Sequence, residues 1–259
     1  MTAWRPRATV PALGARAVHV WRCDMDVRRD TVDWYRSLLT SDELERAARF
    51  RVARDRERFV TCRGVLRQLL AGYRGVVDPR AIRLAYGASG KPSLADSGGT
   101  GGALRFNVSH AGGLALLAFT RSVELGVDIE REHDLPDLEP MMRSHFAPGE
   151  RQAIGVIKSP VQRRAAFFRC WTRKEAILKA LGVGLGLALD SFEVSVTATS
   201  PVRLRWRTDA AYATTRWRGE ALRPARGYPA AVAYAGPSLT RACWSYDMVP
   251  GRGKGTPGT

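Results

Sequence analysis

No stretch of eighteen consecutive apolar residues occurs in the 259-residue chain, so no transmembrane helix is expected. Met1 to Arg16 carries arginine and proline but no continuous apolar core, which argues against a secretory signal. Cysteine is scarce: Cys23, Cys62, Cys170 and Cys243 lie far apart with no C-x-x-C pairing. The expectation is a reduced, cytoplasmic protein with incidental thiols. Zinc-finger spacing, a helix-turn-helix signature and an aromatic-rich RNA-binding motif are missing. The four histidines assemble no Ser-His-Asp triad by spacing. The glycine-spaced 183–187 segment follows a helix rather than a strand, so it is no dinucleotide fingerprint. Acid is in short supply, with 25 Asp and Glu against 41 Lys and Arg and a formal charge of +16. That charge permits nucleic acid, an anionic membrane, nucleotide phosphate or an acidic protein as partner and names none of them.

What is present is 45% hydrophobic content, enough for one large domain or two of ordinary size. The strongest periodic segment starts at Ser159-Pro160, an N-cap and first-turn proline pair, and stops at Gly182. Phe167, Phe168, Trp171, Leu178 and Leu181 recur near the spacing of one buried helical stripe. Glu175 falls within that stripe, four residues after Trp171 and four before Lys179. A surface salt bridge between Glu175 and Lys179 is the plain explanation. A second stretch, Leu125-Gly126-Val127-Asp128-Ile129-Glu130, follows the apolar run Leu114 to Phe119 and a turn near Arg121 and Ser122. It therefore reads as the second strand of a hairpin. Residues two apart share a strand face, so Asp128 and Glu130 project together while Val127 and Ile129 face the core. Adjacent carboxylates repel unless a cation lies between them. Three hard oxygen ligands, Asp128, Glu130 and Glu175, suit Mg²⁺, with Mn²⁺ as an alternative.

These segments resemble the signatures of the 4′-phosphopantetheinyl transferase superfamily. Gly126-Val127-Asp128 matches its G-x-D motif, and Trp171-Thr172-Arg173-Lys174-Glu175-Ala176-Ile177-Leu178-Lys179 its W-[ST]-x-K-E-[AS]-x-x-K motif. Asn107-Val108-Ser109-His110 is similar to a short motif upstream of the first carboxylate. The length matches the larger, single-chain class. The resemblance implies coenzyme A as co-substrate, with Arg58, Lys91, Ser109, His110, Lys174 and Lys179 at its phosphates. Glu175 and Lys179 would be catalytic. Glu150 resembles a further acidic position and is a second candidate for the general base; helix-dipole stabilisation is its plainer role.

Along the rest of the chain, residues 16–22 alternate as a strand, and Thr40 with Glu43 forms a capping box. Phe59, Cys62, Leu66, Leu69 and Tyr73 mark a helix from Arg54. They leave Arg56, Arg58, Arg63 and Arg67 off the stripe, which for most of them reads as a solvated basic face. Arg46 and Arg49 are weaker candidates for an electrostatic rim. Residues 81–86 alternate as a strand, and 87–102 are loop, with 97–102 mobile. Strands near 192–197, 202–206, 230–235 and 242–246 predict a closing antiparallel sheet. The resemblance implies an α+β fold of two similar subdomains related by a pseudo-twofold. Residues 1–122 would be the coenzyme A side, 123–249 would carry the carboxylates and the signature helix, and 250–259 would be a disordered tail.

The implied activity is transfer of the phosphopantetheine arm to a serine of an apo acyl or peptidyl carrier protein, as in polyketide or nonribosomal peptide biosynthesis. The partners expected are that carrier and coenzyme A, with no nucleic acid and no membrane, and the larger class suggests a monomer. Two rivals differ in kind. A basic nucleic-acid-binding protein is disfavoured by the carboxylate cluster, which repels phosphate without a metal. A Mg²⁺-dependent hydrolase of coenzyme A-like pyrophosphates would turn over without any carrier.

Overall fold

The computed structural model describes residues 3–87, 90–95, 103–121, 123–182, 186–197, 201–208, 212 and 216–247. The expected tail at 250–259, the loop at 97–102 and most of the 183–187 segment lie outside them.

Strict alternation builds the centre of the molecule. In the strand Leu114–Arg121 every residue from Leu114 to Phe119 is apolar and buried. Ala115, Leu117 and Phe119 enter one core cluster, and Leu114, Leu116 and Ala118 another. A strand apolar on both faces needs cover on both. It sits inside a five-stranded sheet of order β1-β12-β2-β6-β5: β1 is Arg5–Arg7, β2 Ala17–Asp24, β5 Leu104–Ala111, β6 Leu114–Arg121 and β12 Thr240–Tyr246. A three-stranded antiparallel sheet places β11 (Tyr228–Ala235) between β10 (Trp217–Ala225) and β7 (Leu125–Ile129). The two sheets meet through Val18, Val20, Leu116 and Ala118 on one side and Val127, Ile129, Val232 and Tyr234 on the other.

Two 22-residue helices cover the outer faces. Among the described residues there are six α-helices. α1 (Arg29–Ser37) and α2 (Ser41–Ala48) precede α3 (Ala53–Arg74), which packs Val60, Leu66, Leu69 and Leu70 onto Trp21, Leu117 and Phe119. α4 (Leu138–His145) and α5 (Pro148–Gly155) lead to α6 (Pro160–Leu181), whose Phe167, Ala176 and Ile177 share a core with Ala231 and Ala233. α3 and α6 both end at a left-handed glycine, Gly75 at φ 66° and Gly182 at φ 73°, a conformation that costs glycine no Cβ clash. Ser159 caps α6, accepting from the Gln162 N–H, as its sequence predicts. Short pairs, β3 (Leu84–Tyr86) with β4 (Pro92–Leu94) and β8 (Phe192–Val194) with β9 (Leu204–Trp206), complete the described elements.

Several local expectations change. β7 forms no hairpin with β6; it pairs with β11, Val127 opposite Val232, because both its faces are wanted by other layers. β12 does not close an antiparallel sheet in the second half but runs parallel to β2 and β1. Residues 79–81 form a 3₁₀ turn, leaving only 84–86 as strand. α1 escaped notice because it buries only Val32 and Tyr35. Arg67 is not solvated: it is 2% exposed and donates to Glu43 at 2.6 Å and to the carbonyls of Pro79 and Ile82.

Candidate active site

Period-two alternation decides where the carboxylates point. Leu125, Val127 and Ile129 of β7 face the inter-sheet core, so Gly126 and Asp128 face α6. At Gly126 the helix lies directly on the strand. A Cβ built there would overlap the Ala176 carbonyl oxygen and lie 2.5 Å from the Ala180 nitrogen and 2.8 Å from the Lys179 Cβ. Only glycine permits this approach, and it brings Lys179 onto Asp128.

β5 supplies the third side. Phe106 and Val108 pack in the core beneath α3, so Asn107 and Ser109 face β7. Asn107 Oδ1 accepts the Val127 N–H at 2.9 Å, tying β5 to the edge of β7 that β11 does not pair. Ser109 Oγ donates to Asp128 Oδ1 at 2.9 Å. Lys179 Nζ donates to that same oxygen at 2.6 Å and to Ser109 Oγ at 2.9 Å. The plainer alternative, a Glu175–Lys179 salt bridge, thus gives way to Lys179–Asp128. Glu175 is not in the buried stripe either: it lies with Trp171 and Lys179 on the half-buried face of α6.

The site carries surplus negative charge. Burial raises the Asp128 carboxyl above its usual range against the opposing pull of Lys179. Burial and then Asp128 push Glu130 up to about 7, with Glu175 adding to the rise. Burial and Asp128 also raise Glu175. Asp128 Oδ2 is buried with no hydrogen-bond partner. An orphaned hard oxygen among carboxylates that raise one another is a donor set that fits a divalent cation. The side chains are not preassembled around one: among the described residues no three His, Cys, Asp or Glu groups are gathered to ligate an ion.

Next to Ser109 opens a cleft of about 530 Å³, lined by Arg46, Arg58, Phe59, Arg63, Tyr86 and His110 among others. Arg46 and Arg63 each stack on both Phe59 and Tyr86, with guanidinium-to-centroid distances of 5.5 to 5.9 Å. Cationic and aromatic planes together suit a phosphorylated base. Partial desolvation in the cleft, then the Lys179 and Arg58 charges, hold the exposed His110 ring below its ordinary pKa. Arg58 forms a bidentate pair with Asp26, at 2.7 and 2.8 Å, on the cleft wall. Lys91 turns away from the cleft and donates to the carbonyls of Lys179 at 2.7 Å and Leu125 at 3.2 Å, so it clamps the end of α6 to β7.

Glu150 and Lys174 stand apart from this group. Lys174 is fully buried, lies 2.9 Å from Glu150, and donates to the carbonyls of Leu189 at 2.7 Å and Phe192 at 2.6 Å. Glu150 also accepts the N–H groups of Ala147 and Val194. All three ammonium protons are engaged, which corrects the expectation that Lys174 helps bind phosphate and that Glu150 is free to take a proton. Sequence reasoning passed over Asp26, which no motif marks, and the roles of Asn107 and Gly126, whose motifs were in view.

Residues 124–233 match the profile of the 4′-phosphopantetheinyl transferase superfamily, and residues 28–122 that of the 4′-phosphopantetheinyl transferase N-terminal domain. The chain is 35% identical over 243 residues to the 4′-phosphopantetheinyl transferase HetI of a Nostoc species, covering 94% of this chain and 98% of that protein. It is 33% identical to the human L-aminoadipate-semialdehyde dehydrogenase-phosphopantetheinyl transferase, over 63% of this chain and 53% of the relative. A phosphopantetheinyl transferase of a Thraustochytrium species is 32% identical over 64% and 60%. The class is therefore that of the transferases. The chain belongs to the 4′-phosphopantetheinyl transferase superfamily, in its larger, single-chain class.

Proposed function

We propose that this enzyme moves the 4′-phosphopantetheine arm of coenzyme A onto a serine hydroxyl of an acyl or peptidyl carrier protein, with adenosine 3′,5′-bisphosphate as by-product. The observation that carries the reading is the Lys179–Ser109–Asp128 cluster, with its orphaned carboxylate oxygen, beside a cationic and aromatic cleft. The nucleotide end of coenzyme A would lie in that cleft, against Arg46, Arg58, Arg63 and His110. Asp128, Glu130 and Glu175 would hold Mg²⁺ or Mn²⁺, which supplies charge neutralisation at the pyrophosphate.

The serine oxygen attacks the β-phosphorus, the bond to the bridging oxygen breaks, and the serine proton must leave. Glu175 is the acceptor we assign, because it lies on the half-buried face of α6 with Lys179, and burial and then Asp128 raise its pKa above the ordinary carboxylate range. Lys179 uses two N–H groups on Asp128 and Ser109 and keeps a third for a phosphate oxygen. We also infer two α+β subdomains, 1–122 and 123–249, related by a pseudo-twofold. Each long helix lies on its own sheet, which supports that division, while β12 crosses it by joining the first sheet. A monomer in a reducing compartment serving polyketide or peptide synthesis completes the reading; four free, buried cysteines agree with it.

Intact mass of an apo carrier protein, after incubation with the enzyme, coenzyme A and Mg²⁺, tests the proposal. One added phosphopantetheine, abolished by EDTA and by Glu175→Ala in a folded variant, is the expected result. Loss of the arm from coenzyme A without any carrier would replace it with the hydrolase reading.

A further inference from the structure

A second cleft beside the carboxylates carries arginines that the proposed chemistry leaves unused. It measures about 280 Å³ and lies between α6 and the turn joining β10 to β11. Arg169 and Arg173 come from α6 and Arg223 and Arg226 from the hairpin, with Glu132 the one acid among the described lining residues. Arg173 donates to the carbonyls of Ser195 and Thr197, and Arg169 to that of Val196 at 3.4 Å. Arg223 and Arg226 form an exposed rim. Burial and then the Arg223 charge depress the Arg169 pKa, so the cations repel across the cleft. Like charges held together against one acid are relieved by an anion.

The cleft continues from the carboxylate site. The Glu130 N–H donates to the Pro229 carbonyl at 3.0 Å and the Glu132 N–H to that of Gly227 at 2.8 Å. The segment bearing Glu130 therefore runs on as the cleft wall, and Thr172, also on that wall, is three residues from Glu175 on α6. On the far side, the Tyr228 hydroxyl lies 2.8 Å from where a Cβ of Gly112 would be, and Gly112 lines the nucleotide cleft. The arginine cleft thus adjoins the carboxylates through the Glu130 to Glu132 segment and the nucleotide cleft through Tyr228. A nucleotide already has its place, and a rim of exposed guanidinium groups matches carboxylates presented by a protein surface.

We propose that Arg169, Arg223 and Arg226 dock acidic side chains of the protein substrate beside its reacting serine. This rests on the reading of that substrate as a carrier protein.

Calorimetric titration of an apo acyl carrier protein onto the full chain without coenzyme A tests it. Reversing the rim with Arg223→Glu and Arg226→Glu should weaken Kd at least about tenfold and flatten its salt dependence. Reversing Arg28 and Arg29 at the start of α1 to Glu makes the same change in net charge and should move Kd less than about twofold. Equal weakening by both pairs, or none by the rim pair, overturns the proposal. So does a rise in the KM for coenzyme A with the carrier KM unchanged. Transfer with an unchanged carrier KM in the rim variant sinks the docking site and leaves the transferase reading. Rim-dependent binding without transfer by the unmodified enzyme does the reverse.

Discussion

Gly126 of β7 lies against Ala176 of α6 so closely that any side chain at Gly126 would overlap the Ala176 carbonyl. The contact is backbone on backbone, so nothing flexible can yield. Gly126→Ala should cost about 3 kcal/mol, the upper range for overpacking a rigid core. Transfer activity should fall further than the folded fraction, because the helix that shifts carries Glu175 and Lys179. Denaturant unfolding alongside initial rates on the same samples separates the two effects.

Lys179 and Asp128 make a second test. Lys179→Met removes the ammonium from an aspartate that is 5% exposed in its side chain and already has one orphaned oxygen. Because Lys179 itself is 30% exposed, the expected loss is about 2 kcal/mol at pH 8, below that of a fully buried pair. The loss should shrink as the pH is lowered from 8 to 5, because burial raises the Asp128 carboxyl and the ammonium that opposed this rise is gone. Adding Asp128→Asn should recover stability but not transfer, which urea unfolding at both pH values and a transfer assay would show.

Lys174 separates structure from chemistry. Lys174→Met strands the Glu150 carboxylate in the core and should cost about 3–5 kcal/mol. The KM for coenzyme A of the remaining folded enzyme should stay unchanged. A KM raised by tenfold or more would return Lys174 to the phosphates.

His19 sets an acid limit on stability. Burial, with the Arg7 charge, lowers its imidazole from 6.5 to about 4, while its Nδ1 lies 2.9 Å from the Tyr73 hydroxyl. Between those values the unfolded chain binds the proton and the folded one does not, so stability falls as pH drops from 6.5 toward 4. The full span is worth about 3 kcal/mol. His19→Phe should flatten that part of the profile in guanidinium melts taken at stepped pH.

Much of the site was legible because its residues are local in sequence. Period two placed Asp128 and Glu130 together, and helical spacing put Trp171, Glu175 and Lys179 on one face. The caps at Ser159 and Gly182 bounded α6, since caps depend on neighbours within one turn. Lys91 and Lys174 show where this stops. Both were plausible phosphate ligands by position, yet their partners, the Lys179 carbonyl and Glu150, lie 88 and 24 residues away.

Local periodicity and capping by themselves determined the two long helices, the core strands β5, β6 and β7, and which carboxylates share a face. Tertiary structure alone decided that β7 pairs with β11, that β12 joins β2 in parallel, and that Lys179 meets Asp128 rather than Glu175. The reason is that both faces of β6 are apolar and both faces of β7 are buried, so no alternation in the chain specifies their neighbours. One face of β7 lies on the inter-sheet core and the other, through Gly126 and Asp128, under α6. Packing of two sheets between two helices makes that choice, and Gly126 then sets the distance at which the charges meet.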